Sequence, residues 1–192
     1  MKIYLDFDRT LFDTNTFLDE IYKLINKYDI SKNIFEESKI KLKEKGFNIY
    51  WILNEVKKKC HFDKEIYDEI NELMKNSFIF IYADVIDFLK KLKEKHYEII
   101  LLTKGNKEFQ QRKIDYSKVK DYFDDIIITL KHKGDLEIDY QAIFIDDCEK
   151  ELLSIMKNNP KRLIYINRHN RKEINDSRIM TIYSLKELEE IL

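Results

Sequence analysis

Asp6 and Asp8 stand two residues apart in IYLDFDRTLFDT, residues 3–14, just where a short apolar run ends. A second acid pair, Asp146 and Asp147, closes the run AIFIDD at 142–147. Between them in the sequence lie Thr103, which ends YEIILLT and is followed by Lys104, Gly105 and Asn106, and then Lys131, His132 and Lys133 after DIIIT. Carboxylates are oxygen donors for a hard divalent cation, lysines offset phosphate charge, and a hydroxyl with nearby backbone N–H groups holds phosphate oxygens. Such a set suits a phosphate and a magnesium ion.

Those residues matter together only if the fold collects them. Near-continuous apolar runs at 3–5, 97–103, 125–129, 142–146, 162–167 and 178–183 predict strands buried on both faces. Helical spacing separates them: VIDFLKKLKEK at 85–95, CEKELLSIMK at 148–157 with Leu152, Leu153, Ile155 and Met156 as its apolar set, and SLKELEEIL at 184–192. In the last, Ser184 with Glu187 three residues on has the capping-box pattern. Strands alternating with helices predict an α/β fold with a doubly wound, mostly parallel sheet, whose ligands bind beyond the carboxyl ends of the strands. That edge is where the two acid pairs, the hydroxyl and a lysine arrive. Residues 14–82 break the rhythm with four helical patterns and no strand. The expected organisation is a core of residues 1–13 and 83–192 with an all-helical subdomain, 14–82, inserted after the first strand.

The sequence resembles the haloacid dehalogenase superfamily on four motifs in the family's order: DFDRT, LLTKGN, LKHKGD and FIDDCEKE. The resemblance implies a Rossmann-like core with a helical cap. It implies that Asp6 is the nucleophile and that Asp8 protonates the leaving oxygen and then activates water. Thr103, with Lys104, Gly105 and Asn106, would bind the phosphoryl group, and a lysine would offset charge beside Asp6. Of Lys131 and Lys133, Lys133 is preferred because it directly precedes Gly134 and Asp135. Magnesium would be bound by Asp6, the backbone carbonyl of Asp8, Asp146 and Asp147. Members that displace halide do not keep the second aspartate, so Asp8 points to phosphoryl chemistry. Arg9 stands where the family often has glycine, and Glu151 where it often has a further acid. The expected activity is a magnesium-dependent phosphatase acting on a small phosphomonoester through an aspartyl-phosphate, with a phosphomutase or a non-catalytic phosphate- and metal-binding module as the alternatives.

Composition adds exclusions. The 192 residues carry 35 basic and 36 acidic side chains, so no nucleic-acid partner is expected. Two cysteines, Cys60 and Cys148, are too few for a disulfide framework, and Cys148 reads as a small residue packed at a helix start. The four histidines share no metal-ligand spacing. Phe47, Tyr50 and Trp51 read as packing inside the helical bundle in preference to a pocket lining. The beginning of the chain has no apolar signal core and no stretch reaches the roughly 18 apolar residues of a membrane span, so a soluble, cytoplasmic protein with no membrane partner is expected.

Overall fold

Each of the six apolar runs forms a strand: β1 (Lys2–Leu5), β2 (Glu98–Lys104), β3 (Asp125–Thr129), β4 (Ile143–Asp146), β5 (Arg162–Ile166) and β6 (Ile179–Ile182). In the computed structural model, which describes residues 1–169, 174–188 and 191–192, they make one sheet of order β3-β2-β1-β4-β5-β6 with every pair parallel. Alternation decides what each face buries. Ile3 and Leu5 of β1 join Ile99, Leu101, Ile143 and Ile145 in one core, while Tyr4 joins Ile100, Leu102 and Phe144 in the other. The chain runs outward from β1 through β2 to β3, and then outward on the other side through β4, β5 and β6. The reversal lies between β1 and β4, and an open parallel sheet forms its ligand crevice at such a point.

Between β1 and β2 come four α-helices, α1 (Thr14–Lys27), α2 (Lys32–Lys41), α3 (Ile49–Val56) and α4 (Glu65–Lys75), before the core helix α5 (Val85–Glu94). Their apolar stripes face inward: Phe17, Ile21 and Ile25 from α1, Ile52 and Val56 from α3, and Ile66, Ile70 and Met74 from α4. Asp13 caps α1 by accepting from the Thr16 N–H at 3.1 Å, and Asn48 caps α3 by accepting from Tyr50 N–H at 3.1 Å. The remaining core helices are α6 (Lys107–Tyr116) and α7 (Glu149–Met156).

Two local expectations change. Leu153 of α7 is 40% exposed, because Leu152 and Ile155 are the residues that turn to the sheet, with Met156 packed beside them. The final segment is a 3-10 turn over Leu185–Leu188, and positions 189–190 of the expected helix lie outside the described residues. Glu187 accepts from the Ser184 N–H at 2.8 Å, and the Ser184 hydroxyl donates to Asp84 at 2.8 Å, where Arg168 also makes a two-pronged ion pair. The same hydroxyl still accepts from the Lys186 N–H at 3.3 Å, so it caps the turn while serving the buried carboxylate.

Candidate active site

The Asp6 N–H still donates to Ile145 O at 2.9 Å, so the carboxylate is launched from the centre of the sheet, one residue beyond β1. It meets Lys133, whose ammonium lies 2.7 Å from Asp6 Oδ1 and 2.6 Å from Asp146 Oδ2. Lys133 is 2% exposed. Burial alone would lower its pKa, but the Asp146 and Asp6 charges push it upward, so it stays a cation. Lys131 donates its backbone N–H to Thr129 and leaves its side chain exposed, so the lysine before Gly134 is the one that reaches the acids.

Gly134 explains why. A Cβ there would sit 2.0 Å from Ser154 O, so only a glycine lets the 3-10 turn Lys133–Asp135 lie flat against α7. Glu151 holds the same turn by accepting from the Lys133 N–H at 2.8 Å and from Lys104 at 2.9 Å. Gly134→Ala is therefore expected to cost about 1–3 kcal/mol of stability, as overpacking does, and to lower turnover by moving Lys133; thermal unfolding and kinetics on the purified variant read both. An unchanged melting temperature would contradict the close packing.

Asp6, Asp146 and Asp147 each present a carboxylate oxygen, and these atoms lie within 4.8 Å of one another. All three acids are buried. Burial raises the Asp6 pKa; Lys133 opposes the rise, and the neighbouring Asp146 and Asp147 charges add to it. Asp146 is raised for the same reasons. Three oxygen donors with one buried lysine among them leave an excess of negative charge, which fits a hard divalent cation.

Asp8 takes a different path. Regular strand geometry ends at Leu5, so Asp8 lies in the loop beyond the strand. The Asp8 carboxylate is turned away from the acid cluster and toward α6. It accepts from Thr14 Oγ1 at 2.6 Å, Gln110 Nε2 at 2.5 Å and Lys113 Nζ at 2.5 Å. Burial alone would push its pKa up, but the Lys113 ammonium and these hydrogen bonds outweigh it and hold the group below the ordinary carboxylate range. Lys113 is 3% exposed and packs among the rings of Phe7, Phe12 and Phe109, 5.0 to 5.7 Å from their centroids. Both aspartates line one cavity of about 450 Å³, with Lys104, Lys133, Asp146 and Asp147 on its core side.

Thr103, Gly105 and Asn106 are not on that cavity's wall. The reason is Gln110, which donates to Thr103 Oγ1 at 3.0 Å and lies so close that a Cβ on Gly105 would approach its side chain to 2.9 Å. Asn106 is committed elsewhere: its Oδ1 caps α6 through the Phe109 N–H at 3.1 Å and accepts from Asn48 Nδ2 at 3.0 Å. Gln110 and Lys113 carried no motif signal. They are three apart on α6, the spacing of one helix face, which is the only hint the sequence offers. Arg9 has φ +60°, a left-handed conformation that suits glycine, and its guanidinium lies 3.4 Å from Asp147 Oδ2.

The model of the haloacid dehalogenase-like hydrolase family matches residues 3–151. No curated protein matches the chain. Among solved structures, the chain is similar to a HAD phosphatase from Thermococcus onnurineus, at 20% identity and a TM-score of 0.71, covering 100% of this chain and 97% of that one. It is similar to the HAD-hydrolase YfnB from Bacillus subtilis bound to magnesium, at 14% identity, a TM-score of 0.68 and coverage of 100% and 97%. It is also similar to the L-2-haloacid dehalogenase of Xanthobacter autotrophicus, at 12% identity, a TM-score of 0.64 and coverage of 99% and 97%. At these identities the likeness speaks for the fold. The family match spans DFDRT through the paired acids Asp146 and Asp147, and with it the chain belongs to the haloacid dehalogenase-like hydrolases.

Proposed function

We propose that the protein is a magnesium-dependent phosphatase that hydrolyses a small phosphomonoester through an aspartyl-phosphate on Asp6. The observation that carries this reading is the floor of the cavity, where Asp6, Asp146 and Asp147 converge around buried Lys133, with Asp8 lining the same cavity from the side of α6. A phosphate dianion entering that floor would meet Lys133 and face the Asp6 carboxylate. Asp6 attacks phosphorus and expels the alcohol, and water then cleaves the acyl-phosphate bond. Asp8, whose pKa is held low in the free site, would take up a proton as the phosphate dianion raises that pKa, give it to the departing oxygen, and then take one from the water. Magnesium held by Asp6, Asp146 and Asp147 would supply positive charge to the phosphoryl oxygens.

Asp8 also favours phosphate over halide within the family. A halide leaves without protonation, whereas an alkoxide does not, and a chain that kept three buried donors around an idle carboxylate would have no use for them. The helical insertion contributes Phe17, Leu18, Lys39 and Phe47 to the cavity, as a cap would. Among the described residues no helix is long and apolar enough to cross a membrane.

Hydrolysis of an aryl phosphate at neutral pH tests the reading. Release is expected with magnesium and is expected to fall about 100-fold or more with a chelator, then to return when magnesium is added in excess. Release that ignores the chelator would overturn the metal dependence, and no release from folded protein with magnesium would overturn the phosphatase.

A further inference from the structure

The cavity has two unlike halves. Its floor is charged, but the wall facing that floor is built from Phe47, Leu18 and Phe17 of the insertion and Phe109 of α6. The ring of Phe47 meets that of Phe109 edge-on at 5.4 Å, and Phe109 lies 6.3 Å from Phe17. Phe47 is held in place from both sides. Gly46, at φ +76°, comes so close to the core that a Cβ would sit 2.5 Å from Asn106 N, and Asn48 Nδ2 donates to Asn106 Oδ1 at 3.0 Å. Asn106 Nδ2 in turn donates to Lys45 O at 3.1 Å. The loop is thus fastened to the residues that follow β2, and the ring over the site is fixed and not carried on a free loop.

Most polar side chains around this wall are already engaged, the exception being Gln110, whose Oε1 is buried without a partner among the described residues. The Thr14 hydroxyl donates to Asp8. The Lys39 ammonium is held by Tyr22 Oη at 3.0 Å and by Glu36 at 3.1 Å, and Arg9 by Asn15 at 3.3 Å and Asp147. A polyhydroxylated alcohol entering here would surrender its water and find few partners, whereas a ring would gain apolar and edge-to-face contact. We propose, on the phosphatase reading above, that the alcohol half of the substrate carries an aromatic ring received by Phe47 and Phe109, and that sugar phosphates are poor substrates.

Two primary alkyl esters of similar leaving ability, 2-phenylethyl phosphate and glucose 6-phosphate, separate this from intrinsic reactivity. The expected kcat/KM ratio is at least about tenfold in favour of the aromatic ester. Phe47→Ala is expected to raise KM for the aromatic ester about tenfold and to change KM for the sugar phosphate several-fold less, while Phe47→Leu, which keeps most of the packing volume, shows that the variant folds and keeps part of the preference. Equal turnover of the two esters, or an equal loss on both in Phe47→Ala, would overturn the proposal. Binding of the non-hydrolysable 2-phenylethylphosphonate, measured by calorimetry beside a polyol phosphonate, makes the inference separable from the activity. Selective binding without hydrolysis of any ester would keep the aromatic site and sink the phosphatase, and hydrolysis without selectivity would do the reverse. Absence of both would sink both.

Discussion

Asp6→Asn is expected to lower phosphate release by about 10⁴-fold or more while leaving the fold intact. The magnitude is what removal of a covalent nucleophile costs when the rest of the site remains. The intact fold follows from the surroundings of Asp6. Its carboxylate is buried beside Asp146 and Asp147, and burial already disfavours its charge, so a neutral amide of the same shape relieves repulsion while its oxygen still accepts from Lys133 at the distance now seen, 2.7 Å. In the absence of metal the melting temperature of the variant is expected to match or exceed that of the wild type. Acid-quenched protein labelled from a phosphate donor should carry phosphate in the wild type and none in the variant. A variant that keeps a tenth of the activity, or one that still becomes labelled, would remove Asp6 from the role of nucleophile.

The part of the site that could be read in the sequence is the part that local pattern dictates. Asp6 and Asp146 sit at strand ends because apolar runs end there, and the sheet order then brings β1 beside β4. The choice of Lys133 over Lys131 was also local in origin, since the adjacent Gly134 is the residue that lets the turn approach α7. What stayed hidden depends on partners distant in the chain. Gln110 and Lys113 lie in KEFQQRKIDY, a helix of weak amphipathic pattern, where polar side chains read as solvated. They are buried because Asp8, more than 100 residues earlier, supplies a buried charge that needs donors. Phe47 does both: it packs against the main core, as an aromatic residue in a helical segment reads, and the fastening of its loop by Gly46 and Asn48 also sets it on the cavity. Thr103 and Asn106 follow the motif in sequence, yet Gln110 covers the first and the cap of α6 uses the second.

The buried pair between Lys113 and Asp8 carries the other large effect. Lys113→Met keeps an unbranched side chain of similar length among the Phe7, Phe12 and Phe109 rings, so what is removed is chiefly the charge. Asp8 then keeps Thr14 and Gln110 but loses the cation that the described residues bring to it, and a carboxylate left under-satisfied costs about 1–3 kcal/mol. Asp8 also loses the contact that fixes where its oxygens point, and misplacing a general acid and base is expected to lower kcat about 100-fold with KM within a few-fold of the wild type. Asp8→Asn alone strands the lysine instead, with a similar loss of stability and a similar loss of kcat. The double variant discriminates between a paired device and two independent residues. With both charges gone, no unpaired ion remains in the cavity wall, so stability is expected to recover to near that of the wild type while kcat stays low. Stability losses that simply add in the double variant would show that the two residues do not support one another, and a double variant with restored turnover would show that Asp8 is not the group that moves the proton.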